Sequence, residues 1–137
     1  MFSLVVTPEI KDEIEALKRS DVDAAAVALV LLEELADDQR MLEELCLRNN
    51  HYLYQPPFEA YPFEMAQRQG YNIYILKFRD DDDGSLPPYR ILVGFHAQRS
   101  TYYALSLPHR SESYLRGGDA YRELRARYEQ HGIPTYR

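Results

Sequence analysis

The stretch YRILVGFHAQRSTYYALSLPH, residues 89–109, decides the fold of this 137-residue chain. Residues 89–97 and 101–109 each have the composition of a strand, and the short polar segment QRS between them predicts a turn. The segment YNIYILKFR, residues 71–79, alternates in the way that a half-buried strand does. We therefore expect a three-stranded antiparallel meander in the C-terminal half of the chain.

An additional strand and two helices are predicted before this meander. Residues 2–6 are rich in strand formers and predict a first strand. Thr7 and Pro8 are residue types that cap and open a helix, and the pattern after them predicts a helix to about residue 19. A second helix is predicted from Val22 to Ala36, and its nearly all-round apolar character is typical of a central core helix.

Three further segments complete the secondary structure. A third helical segment begins at an aspartate cap, and its inner face is predicted to hold Met41, Leu42, Leu45 and Cys46. Residues 50–70 contain three prolines within seven positions and are predicted to form a loop or a ragged strand. A last helix is predicted to begin with Asp119 as its cap and to end at Gly132, before Pro134.

This order of elements predicts the fold class. It indicates an α+β domain in which an N-terminal strand and helical hairpin pack on a mostly antiparallel sheet, with a C-terminal helix. We expect the helices to lie on one face of that sheet. At 16.1 kDa, residues 1–137 are expected to form a single domain.

Charge is distributed unevenly along the chain, whose net charge is −6. Residues 1–85 carry 8 Lys or Arg against 18 Asp or Glu, a balance of −10. Residues 86–137 carry 8 arginines against 4 acids, a balance of +4. Because the planar guanidinium group suits phosphate and carboxylate, the C-terminal part is the place where an anion would bind.

The sequence also predicts a cytoplasmic location. Its longest apolar run, residues 24–32, is too short to cross a bilayer, and MFSLVVTPEIKDE lacks the basic start and cleavage site of a secretory signal. The single cysteine, Cys46, can form neither an internal disulfide nor a zinc site alone. Four scattered histidines have no ligand spacing, so no metal or cofactor is expected.

Alternation of side chains along the meander groups the cations. Lys77 and Arg79 share one face of their strand, and Arg90 lies on the face opposite Ile91. Together with Arg110, these cations are predicted to converge on one face of the sheet and to hold an anion there. The alternative is neutralisation by acids of the same chain, namely Glu112, Asp119 and Asp80–Asp83.

These features together resemble the RelE/ParE superfamily of bacterial toxins from type II toxin–antitoxin systems. The resemblance is carried by YNIYILKFR, YRILVGF and LPHRSESY, in that order, after a strand and a helical hairpin. It extends over most of the chain. Each motif is short, and the specificity comes from their joint order and spacing.

The resemblance implies an activity and roles for particular residues. RelE-like toxins enter the ribosomal A site and cut messenger RNA without a metal, through attack of a ribose 2′-hydroxyl on the adjacent phosphate. In that case Arg90 and Arg110 would bind the phosphate, and Tyr114 or His109 would transfer protons and stack on bases. Lys77 and Arg79 would be basic strand residues that bind RNA. Each could instead be structural, as we expect for His96.

Two other functions are compatible with the same fold. ParE-like members lack the nuclease residues and bind DNA gyrase, and a degenerate member would be a non-catalytic interaction domain. This chain is longer and more acidic than is usual for RelE-like nucleases, which settle among ribosomal RNA phosphates. Under both toxin interpretations the expected partner is a cognate antitoxin protein, and the C-terminal helix is either a core element or one that the antitoxin displaces.

Overall fold

The computed structural model describes residues 1–45, 58–78, 88–109 and 118–135. Five strands and five α-helices lie in these ranges, and a 3₁₀ turn, Ala97–Arg99, joins the last two strands. In chain order the elements are β1 (Ser3–Val6), α1 (Pro8–Leu17), α2 (Val22–Ala36), α3 (Gln39–Leu45), β2 (Phe58–Pro62), α4 (Glu64–Arg68), β3 (Ile73–Phe78), β4 (Ile91–His96), β5 (Thr101–Ser106) and α5 (Asp119–Gln130). The predicted α+β class is confirmed.

One five-stranded sheet organises the chain, with the strand order β1-β5-β4-β3-β2. Strands β3, β4 and β5 form the predicted antiparallel meander, and β2 extends it antiparallel to β3. Strand β1 lies parallel to β5 at the opposite edge. A parallel pair needs a crossover connection, and the chain between β1 and the meander supplies it with α1, α2 and α3 on one face.

Residues 58–70, the described part of the range predicted to form a loop or a ragged strand, contain a strand and a short helix. Strand β2 agrees with the second alternative, helix α4 was not predicted, and Pro62 is the last residue of β2. Because β2 is an edge strand, a proline at its end disrupts no central ladder. Local composition left a loop and a ragged strand open, and pairing with β3 makes residues 58–62 a strand.

The expectation that the helices cover one face of the sheet is wrong. Strand residues of one parity, such as Ile91 and Val93, pack with α1, α2 and α3, whereas those of the other parity, such as Ile75 and Leu92, pack with α4 and α5. Both faces of the sheet are apolar and need cover, so the domain has three layers with the sheet in the middle.

Helix ends follow side-chain hydrogen bonds. Thr7 caps α1, Asp21 caps α2 by accepting from the backbone N–H of Ala24, and Asp38 accepts from the N–H of Met41 at the start of α3. Within α3, Leu42 and Leu45 are fully buried and Met41 is half-buried, as predicted, while Cys46 lies outside the described residues.

The predicted cap of the last helix is wrong by one residue. Gly118 is the N-cap of α5 and, having no side chain, makes no side-chain cap bond. Asp119 is the first helical residue, and its carboxylate pairs with Arg122 one turn later. The acid therefore stabilises the first turn through a neighbouring side chain and through its position at the helix N-terminus.

The C-terminal helix is a core element. Its residues Tyr121, Leu124 and Tyr128 are buried against Ile75, Leu92 and other residues of the sheet. The phenol of Tyr128 donates to the carbonyl of Pro134 at 2.6 Å and accepts from the backbone N–H of Asn72 at 3.1 Å. These contacts lock α5 and the segment after it onto the second face of the sheet.

No helix in the described ranges is both long enough and apolar enough to span a bilayer.

Candidate functional site

Arg90 lies immediately before β4 and is held by the backbone. Its N–H donates to the carbonyl of Pro108 at 3.0 Å, which continues the pairing of β4 with β5 beyond the strands proper. The guanidinium Nη1 donates to the carbonyl of Tyr89 at 3.0 Å. Only 6% of Arg90 is exposed. The cation is therefore a buried group at the end of the meander, whereas the sequence predicted that it would hold an anion on one face of the sheet.

Lys77 belongs to the same end of the sheet. The register of β3 on β4 ends at the pair Leu76–Ile91, and one further step along it places Lys77 opposite Arg90. Both have the parity of Leu92, so both belong to the face that α4 and α5 cover. The ammonium of Lys77 lies 5.0 Å from the ring centroid of Tyr61 on β2, a cation–π contact.

His109 completes the part of the site that the structure describes. It follows β5 and pairs with Tyr89 in an isolated antiparallel bridge. The two rings meet edge to face, with centroids 5.4 Å apart and an interplanar angle of 86°. Both residues are half-buried. Bridge partners point to the same side of a sheet, and Tyr89 packs on the side of α1, α2 and α3. The ring of His109 therefore lies at the same end of the sheet as Arg90 but on its other face.

The structure thus brings three of the six candidate residues to one end of the sheet, namely Lys77, Arg90 and His109. The other three, Arg79, Arg110 and Tyr114, lie outside the described residues. The same is true of Glu112 and Asp80–Asp83, which were considered as neutralising acids. Asp119, the remaining acid of that group, pairs with Arg122.

The two other described histidines have structural surroundings. His96, at the end of β4, is 5% exposed, as the structural interpretation predicted. The Nε2 atom of His131 lies 3.2 Å from a carboxylate oxygen of Glu9, and its ring lies 5.5 Å from that of Tyr103. Among the described residues, no three His, Cys, Asp or Glu side chains are grouped so as to hold a metal ion.

A cleft of about 390 Å³, which the sequence did not predict, lies between α1, α5 and the chain after β5. Its walls include the rings of Tyr89 and Tyr121, and apolar side chains such as Leu17, Leu92 and Leu124. Because Tyr89 also contacts His109, the cleft borders the end of the sheet that carries the three candidates. Burial raises the pKa of the Tyr121 phenol above its usual value, so this hydroxyl stays protonated.

An ion-pair network closes one side of the cleft. Arg127 of α5 donates from Nη1 to Glu13 at 2.5 Å and to the carbonyl of Leu105 at 2.8 Å, and from Nη2 to Glu123 at 2.9 Å. Glu13 also accepts from the backbone N–H of Leu107 at 3.0 Å. Burial lowers the pKa of Arg127, but the hydrogen bonds and charges of Glu13 and Glu123 outweigh burial and raise it.

Part of this network was visible in the sequence. Glu123 and Arg127 have the i, i+4 spacing of a helical ion pair. Glu13 lies more than a hundred positions from Arg127, and no local pattern connects them. Only the packing of α1 and α5 at the end of β5 brings the two side chains together.

The described residues can carry out two chemical tasks. Lys77 and Arg90, at this end of the sheet, are cations of the kind that bind a phosphate or carboxylate. The imidazole of His109 has one ring nitrogen that can accept a proton and one that can donate it. Charge stabilisation and proton transfer are what transfer of a phosphoryl group requires.

Comparison of the chain with protein-family models, with curated proteins and with solved structures finds no match.

Proposed function

We propose that this protein is the toxin of a toxin–antitoxin pair and that it cleaves messenger RNA on the ribosome, in the cytoplasm, as a RelE-like endoribonuclease. The observation that carries the proposal is the register of β3 on β4, which sets Lys77 opposite Arg90 on one face of the sheet. His109 lies at the same end of the sheet, beside Tyr89 on the other face. The mostly antiparallel sheet with an N-terminal strand parallel to β5 is consistent with the fold that this class implies.

The proposed reaction forms a bond between the ribose 2′-oxygen and phosphorus and breaks the bond from phosphorus to the 5′-oxygen. A base removes the 2′-hydroxyl proton, and an acid protonates the leaving 5′-oxygen, so that a cyclic phosphate and a 5′-hydroxyl remain. Lys77 and Arg90 would stabilise the negative charge that accumulates on the phosphorane, and His109 would serve one of the two proton transfers. Arg110 and Tyr114 are proposed for phosphate binding and for the other transfer.

The burial of Arg90 favours a second candidate. Arg90 is 6% exposed and its guanidinium donates to the carbonyl of Tyr89, which is the environment of a structural cation. On this alternative, the protein is a ParE-like toxin that binds DNA gyrase, or a non-catalytic interaction domain of the same fold. For Arg90 to reach RNA, the elements that cover it would have to move when substrate binds.

Induced expression of the protein without an antitoxin separates these functions. The nuclease predicts growth arrest with cleaved translated messages. A gyrase poison predicts arrest with DNA damage and intact messages, and an interaction domain predicts normal growth. Messages that remain intact during arrest would refute the nuclease.

Substitutions then test the residues. We expect Arg90→Met and His109→Ala each to reduce cleavage of translated messages at least tenfold, because each removes a group assigned to the reaction. Methionine has a volume similar to that of arginine, so it limits damage to the buried site. Arg99→Ala is the matched control, since Arg99 is an exposed arginine at the opposite end of β4 and β5. Full toxicity in folded Arg90→Met protein would exclude Arg90 from the reaction.

A further inference from the structure

The cleft between α1, α5 and the chain after β5 has the size and the walls of a small-molecule site. Its volume of about 390 Å³ falls within the range of roughly 300–1,000 Å³ that is typical of ligand pockets. The side chains of Leu17, Leu92 and Leu124 and the rings of Tyr89 and Tyr121 form much of its wall. In such sites a few polar groups among the apolar ones orient the ligand. The polar residues of the wall therefore indicate what the cleft binds.

A β-bulge directs one of these polar residues, Ser106, into the cleft. Leu92 of β4 pairs with Ser106, and the next residue of β4 pairs with Ala104, so β5 carries one extra residue at this point. Ala104 packs on the side of α1, α2 and α3, and without the bulge Ser106 would share that side. Because paired residues point to the same side, Ser106 instead shares the side of Leu92, which packs with α5.

The hydroxyl of Ser106 is available to a ligand. Ser106 lines the cleft, and only 8% of it is exposed. Its hydroxyl makes no hydrogen bond within the part of the chain that the structure describes. Buried polar groups ordinarily have a partner, and a hydroxyl can both donate and accept a hydrogen bond. A ligand with a hydrogen-bonding group would supply the partner that Ser106 lacks.

The charged residues of the wall are already paired with one another. Among the described residues that line the cleft, Arg127 is the only cation, and its guanidinium donates to Glu13, to Glu123 and to the carbonyl of Leu105. Glu13 accepts at its second oxygen from the N–H of Leu107. The side chain of Glu123 is 63% exposed, so water screens its charge. A charged ligand would lose hydration without meeting an unpaired buried charge, and the wall therefore favours a neutral one.

We propose that this cleft binds a small uncharged aromatic molecule with a hydrogen-bonding group at the edge of its ring. The ring packs against those of Tyr89 and Tyr121, and the polar edge bonds to the hydroxyl of Ser106. The phenol of Tyr121 already donates to Gln69 at 2.6 Å, so this residue contributes its ring. The inference concerns binding alone and is independent of the proposed nuclease activity.

Indole is a suitable probe, because it is uncharged and has an N–H at its ring edge. The chain contains no tryptophan, so the fluorescence of indole can be followed while the purified full chain is titrated into it. We expect a dissociation constant below about 1 mM. The analogue 1-methylindole lacks the N–H and should bind about threefold more weakly or worse. Neither indole-3-acetate, an anion, nor tryptamine, a cation, should bind more tightly than indole.

Two substitutions in the wall locate the binding. Ser106→Ala should weaken the binding of indole by about threefold or more but leave that of 1-methylindole within about twofold, because it removes the partner of the N–H. Ala16→Leu enlarges an exposed residue of the wall and should weaken both ligands at least about fivefold by occupying their space. The matched controls are Ser3→Ala on β1 and Ala26→Leu on α2, which change exposed residues outside the cleft. Neither control should change the affinity.

Four results would overturn the inference. They are a parent that binds no indole at about 1 mM protein, equal affinity for indole and 1-methylindole, tighter binding of either charged analogue, and unchanged indole affinity in Ser106→Ala or in Ala16→Leu. Thermal unfolding should verify that each variant folds. If Ser106→Ala proves unstable, the comparison of indole with 1-methylindole in the parent still tests the hydrogen bond.

Discussion

Single residues determine how closely the layers of this protein approach one another. Gly94, in the middle of β4, faces α5. A Cβ atom at this position would lie 2.8 Å from Cδ1 of Ile133, 3.0 Å from Cδ2 of Tyr128 and 3.2 Å from Cδ1 of Leu105. These distances are shorter than ordinary contacts between carbon atoms. The missing side chain thus sets the distance between the sheet and the C-terminal helix.

We expect Gly94→Ala to lower the free energy of unfolding by about 1–3 kcal/mol, because overpacking displaces neighbouring side chains. Ile133→Val removes the Cδ1 atom that the new methyl group would meet first. In a double-mutant cycle measured by chemical denaturation, the two substitutions should therefore cost less together than the sum of their separate effects. Strict additivity would show that the contact does not limit the packing.

Gly132 is the matched comparison, because glycine is favoured there by the backbone conformation and not by close packing. It ends α5 with φ +74°, and a Cβ atom there would have no neighbour within 4 Å. Gly132→Ala should cost about 1 kcal/mol through backbone strain alone. Ile133→Val should not reduce that cost.

At the scale of elements, the N-terminal strand and first helix are attached to the rest of the chain at Thr7. Its hydroxyl donates to the carbonyl of Ala104 on β5 at 2.6 Å and accepts from the N–H of Ile10 at 3.4 Å. The side chain is fully buried. One residue therefore ends β1, caps α1 and bonds to β5.

We expect Thr7→Val to destabilise the protein by about 1–2 kcal/mol, since valine has the same shape but leaves a buried carbonyl and a helix N–H without this partner. Thr101→Val is the control, because the hydroxyl of Thr101 makes an exposed bond to the carbonyl of Arg99. That change should cost less than about 0.5 kcal/mol. Equal losses in urea denaturation would contradict the role of Thr7.

Helices α1 and α5 are also joined by the pair of Glu9 and His131. Burial by itself raises the pKa of the Glu9 carboxyl, but a backbone hydrogen bond and the interactions with His131 outweigh burial and lower it from its usual 4.5. A carboxyl whose pKa is lower in the folded state stabilises the fold above the unfolded value. That stabilisation is lost as the pH falls through the lowered value.

The parent should therefore be more stable than Glu9→Gln at neutral pH, and the difference should shrink as the pH falls below the usual value of 4.5. Denaturation curves at a series of pH values measure this difference. Glu64→Gln is the control, because Glu64 is an exposed acid in the first turn of α4 with only a surface partner, Arg68. A stability difference for Glu9→Gln that stays constant through acid would refute the coupling.

At the scale of the whole molecule, both faces of the sheet are apolar, so each face must pack against a layer of helices. The N-terminal helices form one layer, and α4 and α5 form the other. The sequence left open whether the last helix is part of the core, and in this structure it is. Under the proposed toxin function, an antitoxin that displaced α5 would have to replace its buried contacts.

We expect a chain truncated after residue 117 to lose cooperative unfolding and to bind a hydrophobic dye, because strand residues such as Ile75, Leu92 and Leu105 would become exposed. A chain truncated after residue 135 retains α5 and Pro134 and is the control. It should melt like the parent. Sharp cooperative melting of the shorter chain would mean that α5 is dispensable for the fold.

Local sequence patterns predicted most of the helices and strands, and they divided the residues of each strand between its two sides. The meander, the first strand and the boundaries of α2 follow from alternation, helical periodicity and capping residues, all of which act over a few positions. The sequence also predicted that Lys77 and Arg90 share one side of the sheet. Alternation divides the residues of each strand between two sides, but only the register of β3 on β4 relates the sides of the two strands.

The other features of the fold and of the site depend on long-range packing. The strand at β2, the second layer of helices, the contact of Glu13 with Arg127 and the burial of Arg90 all depend on residues far apart in the chain. The unbroken apolar run of β4 is typical of a strand covered on both faces, but it does not identify the helices that cover it. The sequence around an arginine likewise does not tell whether its side chain is exposed or buried. Such differences arise only when the elements assemble and compete for the same apolar surfaces.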